Sequence, residues 1–364
     1  MTAAEPLERY LRRRRSLWAD PALDGLDVLL VTTPIHLRWL CGFSGTSGLL
    51  LLFPERALLV TDGRYATQSA EETSGVEIHI ERQPLPVLLE GRLEDAVRVG
   101  FEAARLNWAE VESLRTGRPE REWVAVQGAF ERARVVKDAW EVGRLEEAGR
   151  LVDQVMGELV RGLGPGSTER QVTGRLEALL REAGSEAFAF EPIVVSGERG
   201  ALPHGRSSDR KLTDDDLVTI DFGAVVEGYH ADITRTVALG PPPADARSWY
   251  EAVSAAVDAT LGQIRPGIPG GSLDGIARAV IDEAGLGAYF VHNLGHGLGL
   301  EVHEEPRLAP GSEQTLVEGM VMTIEPGVYL PGRGGVRIEE DVLVTPQGYR
   351  LLTTSSRSFD IATY

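Results

Sequence analysis

The sequence has a single cysteine, Cys41, in 364 residues, so an intrachain disulfide is impossible. This favours a reducing compartment, and we expect a cytoplasmic protein. Long apolar runs are also absent, since the longest, LLLLF at 49–53, is far too short to span a bilayer. The arginine-rich LRRRRSLW at 11–18 is followed by ADPALDGLD instead of the apolar segment of an export signal. We therefore expect neither a membrane anchor nor a targeting segment.

Positive charge is scarce in this chain. The 37 lysines and arginines are outnumbered by 55 aspartates and glutamates, which gives a net charge of −18. A surface this acidic repels phosphate backbones and anionic lipid, so we expect no nucleic-acid or membrane partner. Part of the excess charge is neutralised if clustered carboxylates bind cations.

The first part of the chain alternates strand-like with helix-like segments. Its predicted strands are short and apolar: 27–33, 47–53, 56–62, 75–80, 98–102 and 122–126. Its predicted helices are 5–19 and 107–116. The second and third strands are separated only by Pro-Glu and are typical of a hairpin. This alternation predicts an α/β domain over residues 1–130.

The second part, residues 131–364, opens with a long helical pattern. Residues 133–163 are amphipathic and almost free of helix breakers, which predicts one long helix. Beyond it, GPGSTERQVTGRLEALLREAG (164–184) resembles PGIPGGSLDGIARAVIDEAG (266–285). Each copy has a Pro/Gly turn, a Ser or Thr to cap the helix, and an amphipathic helix that ends at Glu-Ala-Gly.

Strand-like sequence follows each copy. The repeated segment therefore predicts duplicated α+β halves, with a helix pair backing a shared antiparallel sheet. In the first copy, Thr168 with Gln171 fits a capping box and Gly184 suits a C-terminal stop.

Two aspartates lie in apolar sequence of the first half. The segment TIDFGAVVEGYHADITRT (219–236) predicts two strands joined by a turn at Glu-Gly (227–228). In a two-residue hairpin Asp221 pairs with Thr234, and Asp232 lies on the same face. Two buried carboxylates on one face repel each other, and a bound cation removes the repulsion. The alternative is that both cap the hairpin in solvent.

Two glutamates occupy comparable places in the second half. Glu325 ends the apolar part of MTIEPGVY (322–329), and Glu339 lies in GVRIEED (335–341). Each alone is compatible with an ordinary exposed acid. Together with the aspartates they form two pairs of carboxylates, one pair from each half.

Three of the seven histidines lie in HNLGHGLGLEVHEEP (292–306). The glycines on either side of His296 permit unusual backbone angles and close approach, as an imidazole entering a crowded polar site requires. Four carboxylates and one imidazole carry a charge that balances two divalent ions. This oxygen-rich set suits Mn²⁺, Co²⁺ or Zn²⁺. Two such ions would bind a bridging water and lower its pKa toward ~7.

These residues resemble the metal-ligand set of the pita-bread metallopeptidases (M24), which include methionine aminopeptidase, aminopeptidase P and prolidase. The N-terminal segments IHLRWLCGFSGTSGLLLL (35–52) and VTDGRY (60–65) are similar to the accessory domain of prolidases, aminopeptidases P and creatinase, which methionine aminopeptidase lacks. Five motifs resemble those of the family in order: ALPHG, DFGAVVEGYHADITRT, HNLGHGLGLEVHE, TIEPGVY and GVRIEED. The resemblance implies a creatinase-like N-terminal domain and a pita-bread catalytic domain with pseudo-twofold halves.

The resemblance also implies a role for each ligand. Asp221 and Asp232 resemble the chelating and bridging aspartates, and His296 the single histidine ligand of one metal. Glu325 is similar to the glutamate that both ligates and acts as general base. Glu339 resembles the second bridging carboxylate.

Further polar residues match positions that contact substrate in the family. His204 and His303 resemble the two non-ligand histidines that contact the substrate carbonyl and move protons. His292 is expected to line the proline pocket. Arg337 is expected either to fix Glu339 or to bind a substrate C-terminus. The remaining histidines receive no catalytic role: His230 is expected at the surface of a strand, and His36 and His79 lie in the N-terminal domain.

The implied activity is metal-dependent hydrolysis of Xaa-Pro bonds in short proline-containing peptides, by a water or hydroxide that bridges two metals. An Xaa-Pro bond offers no N–H, and a dinuclear site needs none. An Xaa-Pro dipeptidase (prolidase) is preferred, with aminopeptidase P as the alternative. A dipeptidase must also recognise a free carboxylate, for which Arg64, Arg333 and Arg337 are candidates.

Two other functional classes are compatible with this fold. Some relatives of this fold are non-enzymatic binding modules, and creatinase is a metal-free hydrolase, but both readings predict broken ligand positions. In the family the N-terminal domain commonly dimerises. We therefore expect a homodimer, supported by the apolar GLLLLF (48–53) and the GFSGTSG loop (42–48).

Overall fold

In the computed structural model, which describes residues 4–81, 89, 91–93 and 95–364, the chain separates into two units, Met1–Arg134 and Val135–Tyr364. The boundary predicted from the sequence is residue 130. Among the described residues, no helix combines the length and the apolar character needed to cross a membrane.

A mixed sheet of six strands forms the first unit, in the order β4-β3-β2-β1-β5-β6. The strands are β1 Val28–Val31, β2 Gly48–Leu52, β3 Ala57–Thr61, β4 Glu77–Ile80, β5 Arg98–Glu102 and β6 Glu122–Val126. The helices are α1 Ala4–Trp18, α2 Pro34–Cys41, α3 Ala66–Glu72, α4 Trp108–Gly117 and α5 Ala129–Arg134. The predicted α/β class and the β2–β3 hairpin are confirmed. Every residue of β1 is buried, as its central place in the sheet requires.

Two helix pairs characterise the second unit. They are α6 Ala139–Arg161 with α7 Glu169–Glu182, and α8 Ala246–Leu261 with α9 Gly270–Glu283. One apolar cluster joins the first pair to the strands of the first half, and another joins the second pair to the strands of the second half. Fully buried residues such as Val152, Leu176 and Ile281 each contribute about 1.5–3 kcal/mol of hydrophobic stabilisation.

The prediction of a single helix over 133–163 is wrong near its start, where the chain leaves one helix and begins another. Residues 135–138 lie outside any helix, and Val136 forms a β-bridge with Met320. Helix α6 begins only after Asp138, whose carboxylate accepts hydrogen bonds of 3.0 Å from the backbone N–H groups of Trp140 and Glu141. This N-cap competes with continuation of the helix and decides where the helix starts.

The prediction that a Ser or Thr caps the helix is confirmed for the first copy of the repeated segment and is wrong for the second. Thr168 and Gln171 form the expected capping box at α7, and Gly184 ends this segment with φ of +96°. No side chain in the described part of the chain caps the start of helix α9. Its first amides, of Gly270 and Gly271, donate instead to backbone carbonyls of residues 314 and 312.

The second unit contains twelve short strands among its described residues. They are β7 Ile193–Ser196, β8 Leu217–Phe222, β9 Val225–Val226, β10 Tyr229–His230, β11 Ile233–Ala238, β12 Gly295–Gly297, β13 Glu304–Leu308, β14 Val321–Ile324, β15 Gly327–Leu330, β16 Gly334–Arg337, β17 Glu340–Thr345 and β18 Gly348–Leu351. All pairings are antiparallel, in the orders β11-β8-β7, β10-β9, β13-β12-β14-β17-β18 and β15-β16. The two halves meet where the amide of Glu339 donates to the carbonyl of Thr234 (3.2 Å).

The aspartate hairpin has the predicted register. Thr234 pairs with Asp221, and the same register continues to the turn, where Tyr229 pairs with Val226. The two turn residues, 227 and 228, have φ of +46° and +79°, as in a type I′ turn. This register places Asp221 and Asp232 on one face of the hairpin.

Candidate metal centre

The two aspartates are buried with part of their hydrogen-bonding capacity unused. Asp221 is 8% exposed and Asp232 is 5% exposed, and Oδ1 of each has no hydrogen-bond partner among the described residues. The second oxygen of Asp221 forms an ion pair with Arg337. The backbone amide of Asp232 donates to Asp341 Oδ2 (2.9 Å). A carboxylate oxygen that is buried and unpartnered is costly unless it binds a cation.

The two glutamates lie where one strand ladder gives way to the next. Ile324 pairs with Glu340 at the end of β14–β17, and Gly327 pairs with Arg337 at the end of β15–β16. Glu325 and Glu339 therefore lie across from each other in the gap between these ladders. Glu339 is 2% exposed, and its Oε1 is also buried without a hydrogen-bond partner in the described chain.

His296 brings the pairs together. Its Nε2 lies 3.3 Å from Glu325 Oε1 and 3.9 Å from Asp232 Oδ2. Three potential ligand atoms lie within 4.8 Å of one another, one each from Asp232, His296 and Glu339. Nδ1 of His296 donates to the carbonyl of Gly297 (3.0 Å), which leaves Nε2 facing the carboxylates.

The flanking glycines of His296 are explained by close approach. A Cβ on Gly295 would lie 2.1 Å from the carbonyl oxygen of Thr323, and one on Gly297 would lie 2.0 Å from that of Glu305. Neither glycine has a positive φ. The prediction of close approach is confirmed, whereas the prediction of unusual backbone angles is wrong.

The electrostatics of this cluster favour a cation. Burial and the neighbouring carboxylates raise the pKa of Asp232 and of Glu339 well above their usual values. Burial also raises the pKa of Asp221, although Arg337 opposes the shift. For Glu325, burial is the largest single effect and raises the pKa, but the hydrogen bond with His296 and the charges of His296, His292 and Arg337 together outweigh it, and the pKa falls. Burial is the largest single effect on His296 and lowers its pKa, but Glu325, the carbonyl of Gly297 and the charge of Asp221 together outweigh it, and the pKa rises. The acids, the imidazole and the unpartnered oxygens together fit divalent cations.

Thr234 and Tyr329, which the sequence did not point to, and Arg337, which it did, hydrogen-bond around the predicted ligands. The Thr234 hydroxyl donates to Glu339 Oε2 (2.7 Å) and accepts from Arg337 Nε (3.1 Å). Arg337 pairs with Asp221 and not with Glu339, and its Nη1 donates to the hydroxyl of Tyr329 (2.8 Å). Thr234 lies two residues beyond Asp232, so the period of the strand alone placed it on the same face.

The three predicted non-ligand histidines surround this cluster. The ring of His303 lies 4.3 Å from that of His296, and its side chain is exposed. His292 Nε2 accepts from the Tyr329 hydroxyl (2.9 Å). His204 is exposed, and it lies near enough for a positive charge on it to lower the pKa values of Asp221, His292 and His303. Burial lowers the pKa of His292 and of His303, which favours their neutral forms at pH 7.

His230 differs from its expected place. It lies on β10, but it is half-buried, and its Nδ1 donates to the carbonyl of Gly299 (3.0 Å). It therefore supports the loop before His303 and is not a free surface side chain.

Comparison with known proteins agrees with these features. Residues 143–346 match the model of metallopeptidase family M24, and residues 13–136 match that of the creatinase/prolidase N-terminal domain. An Xaa-Pro dipeptidase of Pyrococcus furiosus is 36% identical over 92% of this chain and 95% of its own length. The solved structure of an Xaa-Pro dipeptidase from Bacillus anthracis matches with a TM-score of 0.93 at 34% identity, over 96% of this chain and 99% of the other. That of an X-Pro aminopeptidase from Thermotoga maritima gives 0.89 at 34% identity, over 94% and 100%.

Proposed function

Because the chain belongs to metallopeptidase family M24, with a creatinase-type N-terminal domain before a pita-bread catalytic domain, we propose that it hydrolyses the Xaa-Pro bond of dipeptides. The observation that carries this proposal is the convergence of Asp232, His296 and Glu339 on one point, with Glu325 in contact with His296. Two of the relatives that match over nearly the whole chain are named Xaa-Pro dipeptidases.

We propose that five residues hold two divalent ions, of Mn²⁺, Co²⁺ or Zn²⁺: Asp221, Asp232, His296, Glu325 and Glu339. The donor set, four carboxylates and one imidazole, favours these ions over a thiolate-type structural zinc. Bound there, the ions polarise the scissile carbonyl and lower the pKa of a coordinated water.

Side chains of this protein accept and donate the protons of the reaction. Thr323 (3.1 Å) and His296 (3.3 Å) hold Oε1 of Glu325, so Oε2 is the atom that takes the proton of the attacking water. His204 and His303 carry exposed imidazoles, which donate to the substrate carbonyl and return a proton to the leaving proline nitrogen. When the C–N bond breaks, that nitrogen gains one proton and leaves as an amine, and the proton comes from the enzyme or from water.

Aminopeptidase P activity is the second candidate. All three arginines suggested for the substrate carboxylate already pair with acids of this chain: Arg337 with Asp221, Arg333 with Asp245 and Arg64 with Asp62. Arg337 is also only 4% exposed, which favours an orienting role over substrate contact. An enzyme that leaves the proline side open needs no such arginine, and the Thermotoga maritima relative is named an aminopeptidase.

One experiment separates the two activities. Metal-free protein is reloaded with Mn²⁺, Co²⁺ or Zn²⁺ and given Ala-Pro, Ala-Pro-Ala and the amide of Ala-Pro. A dipeptidase cleaves Ala-Pro and discriminates against both other peptides. Cleavage of the tripeptide at the rate of the dipeptide rejects the dipeptidase proposal and supports aminopeptidase P. Cleavage of none of them with any metal rejects both.

We also propose a homodimer, on the resemblance of the N-terminal domain alone. The apolar run at 48–53 does not support it, because β2 lies between β1 and β3 and Leu49 to Leu52 are buried in the sheet. Light scattering measures the mass in solution, and a monomer mass would reject the proposal.

A further inference from the structure

A buried carboxylate outside the metal centre holds the loop that carries His204. Glu169, the first residue of α7, is 0% exposed. It accepts five hydrogen bonds: from Ser196 N (2.8 Å) and Oγ (2.9 Å), Arg199 Nε (3.0 Å), and Ser208 N (2.9 Å) and Oγ (2.7 Å). Because Ser196 and Arg199 precede His204 and Ser208 follows it, one side chain closes residues 197–207 into a loop. We refer to these residues as the His204 loop.

The His204 loop is also tied to the metal centre. Arg199 uses a second nitrogen to donate to the carbonyl of Arg206 (2.5 Å), across the loop. The carbonyl of Pro203 accepts from Arg337 Nη1 (3.2 Å), and Arg337 in turn pairs with Asp221. The backbone beside His204 is therefore fixed from both sides, by Glu169 at its ends and by Arg337 near its tip.

The imidazole of His204 has no such support of its own. Its side chain is exposed, and no described residue forms a hydrogen bond with it. Its position relative to Asp221 and His303 therefore depends on where the backbone of the loop lies. A shift of about 1 Å in such a group is enough to cost two orders of magnitude in rate.

The second half of the chain contains a comparable anchor. Asp274 on α9 is 1% exposed and accepts from the amide of Leu294 (3.0 Å). It also forms a two-bond ion pair with Arg278, which donates to the carbonyls of Phe290 (3.0 Å) and His292 (2.8 Å). In each half, a buried acid on the second helix of the pair fixes a loop that carries a non-ligand histidine.

We propose that Glu169 is a positioning residue for the reaction, acting through His204 by fixing the backbone of its loop. This inference rests on the proposed hydrolysis of Xaa-Pro bonds. A carboxylate is required because all five partners are donors, one of them the cationic Arg199. An amide in its place turns an N–H₂ group toward donors and leaves some of them unpaired.

The test compares Glu169→Gln with a matched control, Asp153→Asn. Asp153 on α6 likewise accepts from the backbone amides and hydroxyls of two neighbouring residues, Thr354 and Ser355, at 2.7–2.9 Å, but these lie in the C-terminal segment. Hydrogen exchange of residues 197–207 is followed by mass spectrometry in the metal-free proteins. Kinetics on Ala-Pro are measured for each variant alone and combined with His204→Ala.

We expect faster exchange in the His204 loop of Glu169→Gln only, and a fall in kcat of roughly tenfold to a hundredfold. In the His204→Ala background the same substitution should cost no further activity, because the group that it positions is gone. Unchanged exchange in the loop, or losses that multiply in the double variant, would overturn the proposal.

Two further measurements keep the test decisive. If Glu169→Gln does not fold, Ser208→Ala removes a single donor and should produce the same pattern more weakly; a wild-type exchange rate in its loop would also overturn the proposal. If the wild-type protein cleaves no Xaa-Pro peptide, the proposed function fails, whereas the exchange experiment still decides whether Glu169 fixes the loop.

Discussion

The backbone amide of Asp232 donates a hydrogen bond of 2.9 Å to Asp341, a residue 109 positions further along the chain. Asp341 is the last of three consecutive acids, and each of them contacts the strand segment 232–235. Glu340 pairs with the buried Arg235 (3.0 Å), and Glu339 accepts from Thr234. Both halves of the second unit thus supply carboxylates to one buried place, where a bound cation would offset their mutual repulsion.

Removing one of these charges should separate activity from stability. In Asp232→Asn we expect loss of turnover, because the amide is a poor ligand for a divalent ion. Metal-free Asp232→Asn should unfold with a free energy about 1 kcal/mol higher than wild type at pH 7, since a buried charge beside like charges is removed. Urea unfolding in EDTA, with Asp232→Ala as a second variant, measures this difference.

The same variants should lose the stabilisation that metal provides. Wild-type protein should gain about 2.7 kcal/mol at a free metal concentration of 100 times Kd, and Asp232→Asn should gain little. Asp209→Asn, whose side chain is 84% exposed, serves as the control and should behave as wild type. Retained activity in either Asp232 variant would contradict the ligand assignment.

Thr234 should act on metal affinity through hydrogen bonds alone. Thr234→Val keeps the shape of the side chain but leaves Glu339 Oε2 and Arg337 Nε each without a partner. We expect metal affinity to fall about 10–100-fold, and the free energy of unfolding to fall by about 1–3 kcal/mol. Titration of metal-free protein with Mn²⁺, followed calorimetrically, measures the affinity.

Thr219→Val is the matched control on the paired strand. Among the residues that the structure describes, its hydroxyl bonds only to that of Thr236 (3.0 Å) and to no proposed ligand. It should lower stability by about 1 kcal/mol and leave metal affinity unchanged. Equal losses of affinity in the two variants would show that any disturbance of these strands weakens the site.

Local patterns were sufficient to predict much of this arrangement. The period of two and the Glu-Gly turn predicted the pairing of Asp221 with Thr234, because hairpin register depends on neighbouring residues only. Residue type and order predicted the convergence of Asp232, His296 and Glu339. Their roles as ligands, and the domain limits, stay predictions.

Contacts between distant segments could not be predicted in this way. The partner of Arg337 is Asp221, 116 residues away, and not its near neighbour Glu339. The bridge of Val136 to Met320, in the break before α6, likewise joins distant segments, and no helical pattern in 133–163 reveals it. In the sequence, Glu169 is an ordinary acid in the first turn of a helix. Its contact with Ser196 is visible only in the structure.

The turn of the aspartate hairpin should tolerate no side chain at its second position. Gly228 has φ of +79°, so Gly228→Ala should lower the free energy of unfolding by about 1–2 kcal/mol. Gly174→Ala is the control in the opposite direction. Gly174 is exposed within α7, and apart from the helix's own backbone no described atom lies within 4 Å of where its Cβ would be. The substitution should therefore raise stability by about 0.5–1 kcal/mol. Urea unfolding of both variants measures the two changes in the free energy of unfolding. A Gly228→Ala variant as stable as wild type would reject the turn assignment.

In the first unit, His36 lies between two buried charges. It is 1% exposed, its Nδ1 donates to Glu102, and its Nε2 accepts from Arg134 (2.9 Å). The hydrogen bond from Arg134 requires the neutral imidazole. Burial lowers the pKa of His36, and the charges of Arg134 and Arg105 add to this shift, although Glu102 opposes it.

Protonation of His36 should therefore weaken the fold at mildly acidic pH. Since its folded pKa lies below its unfolded pKa of about 6.5, the unfolded chain takes up the proton first as the pH falls. The stabilisation is complete above pH 6.5 and is lost below it, at no more than about 1.4 kcal/mol per pH unit. His36→Gln does not titrate, but its amide can still donate to Glu102 and accept from Arg134. Urea unfolding of both proteins at pH 7.5 and 5.5 isolates His36, because every other titrating group is common to them. Wild type should lose more stability than His36→Gln on this change, and an equal loss would mean that His36 does not change its protonation on unfolding.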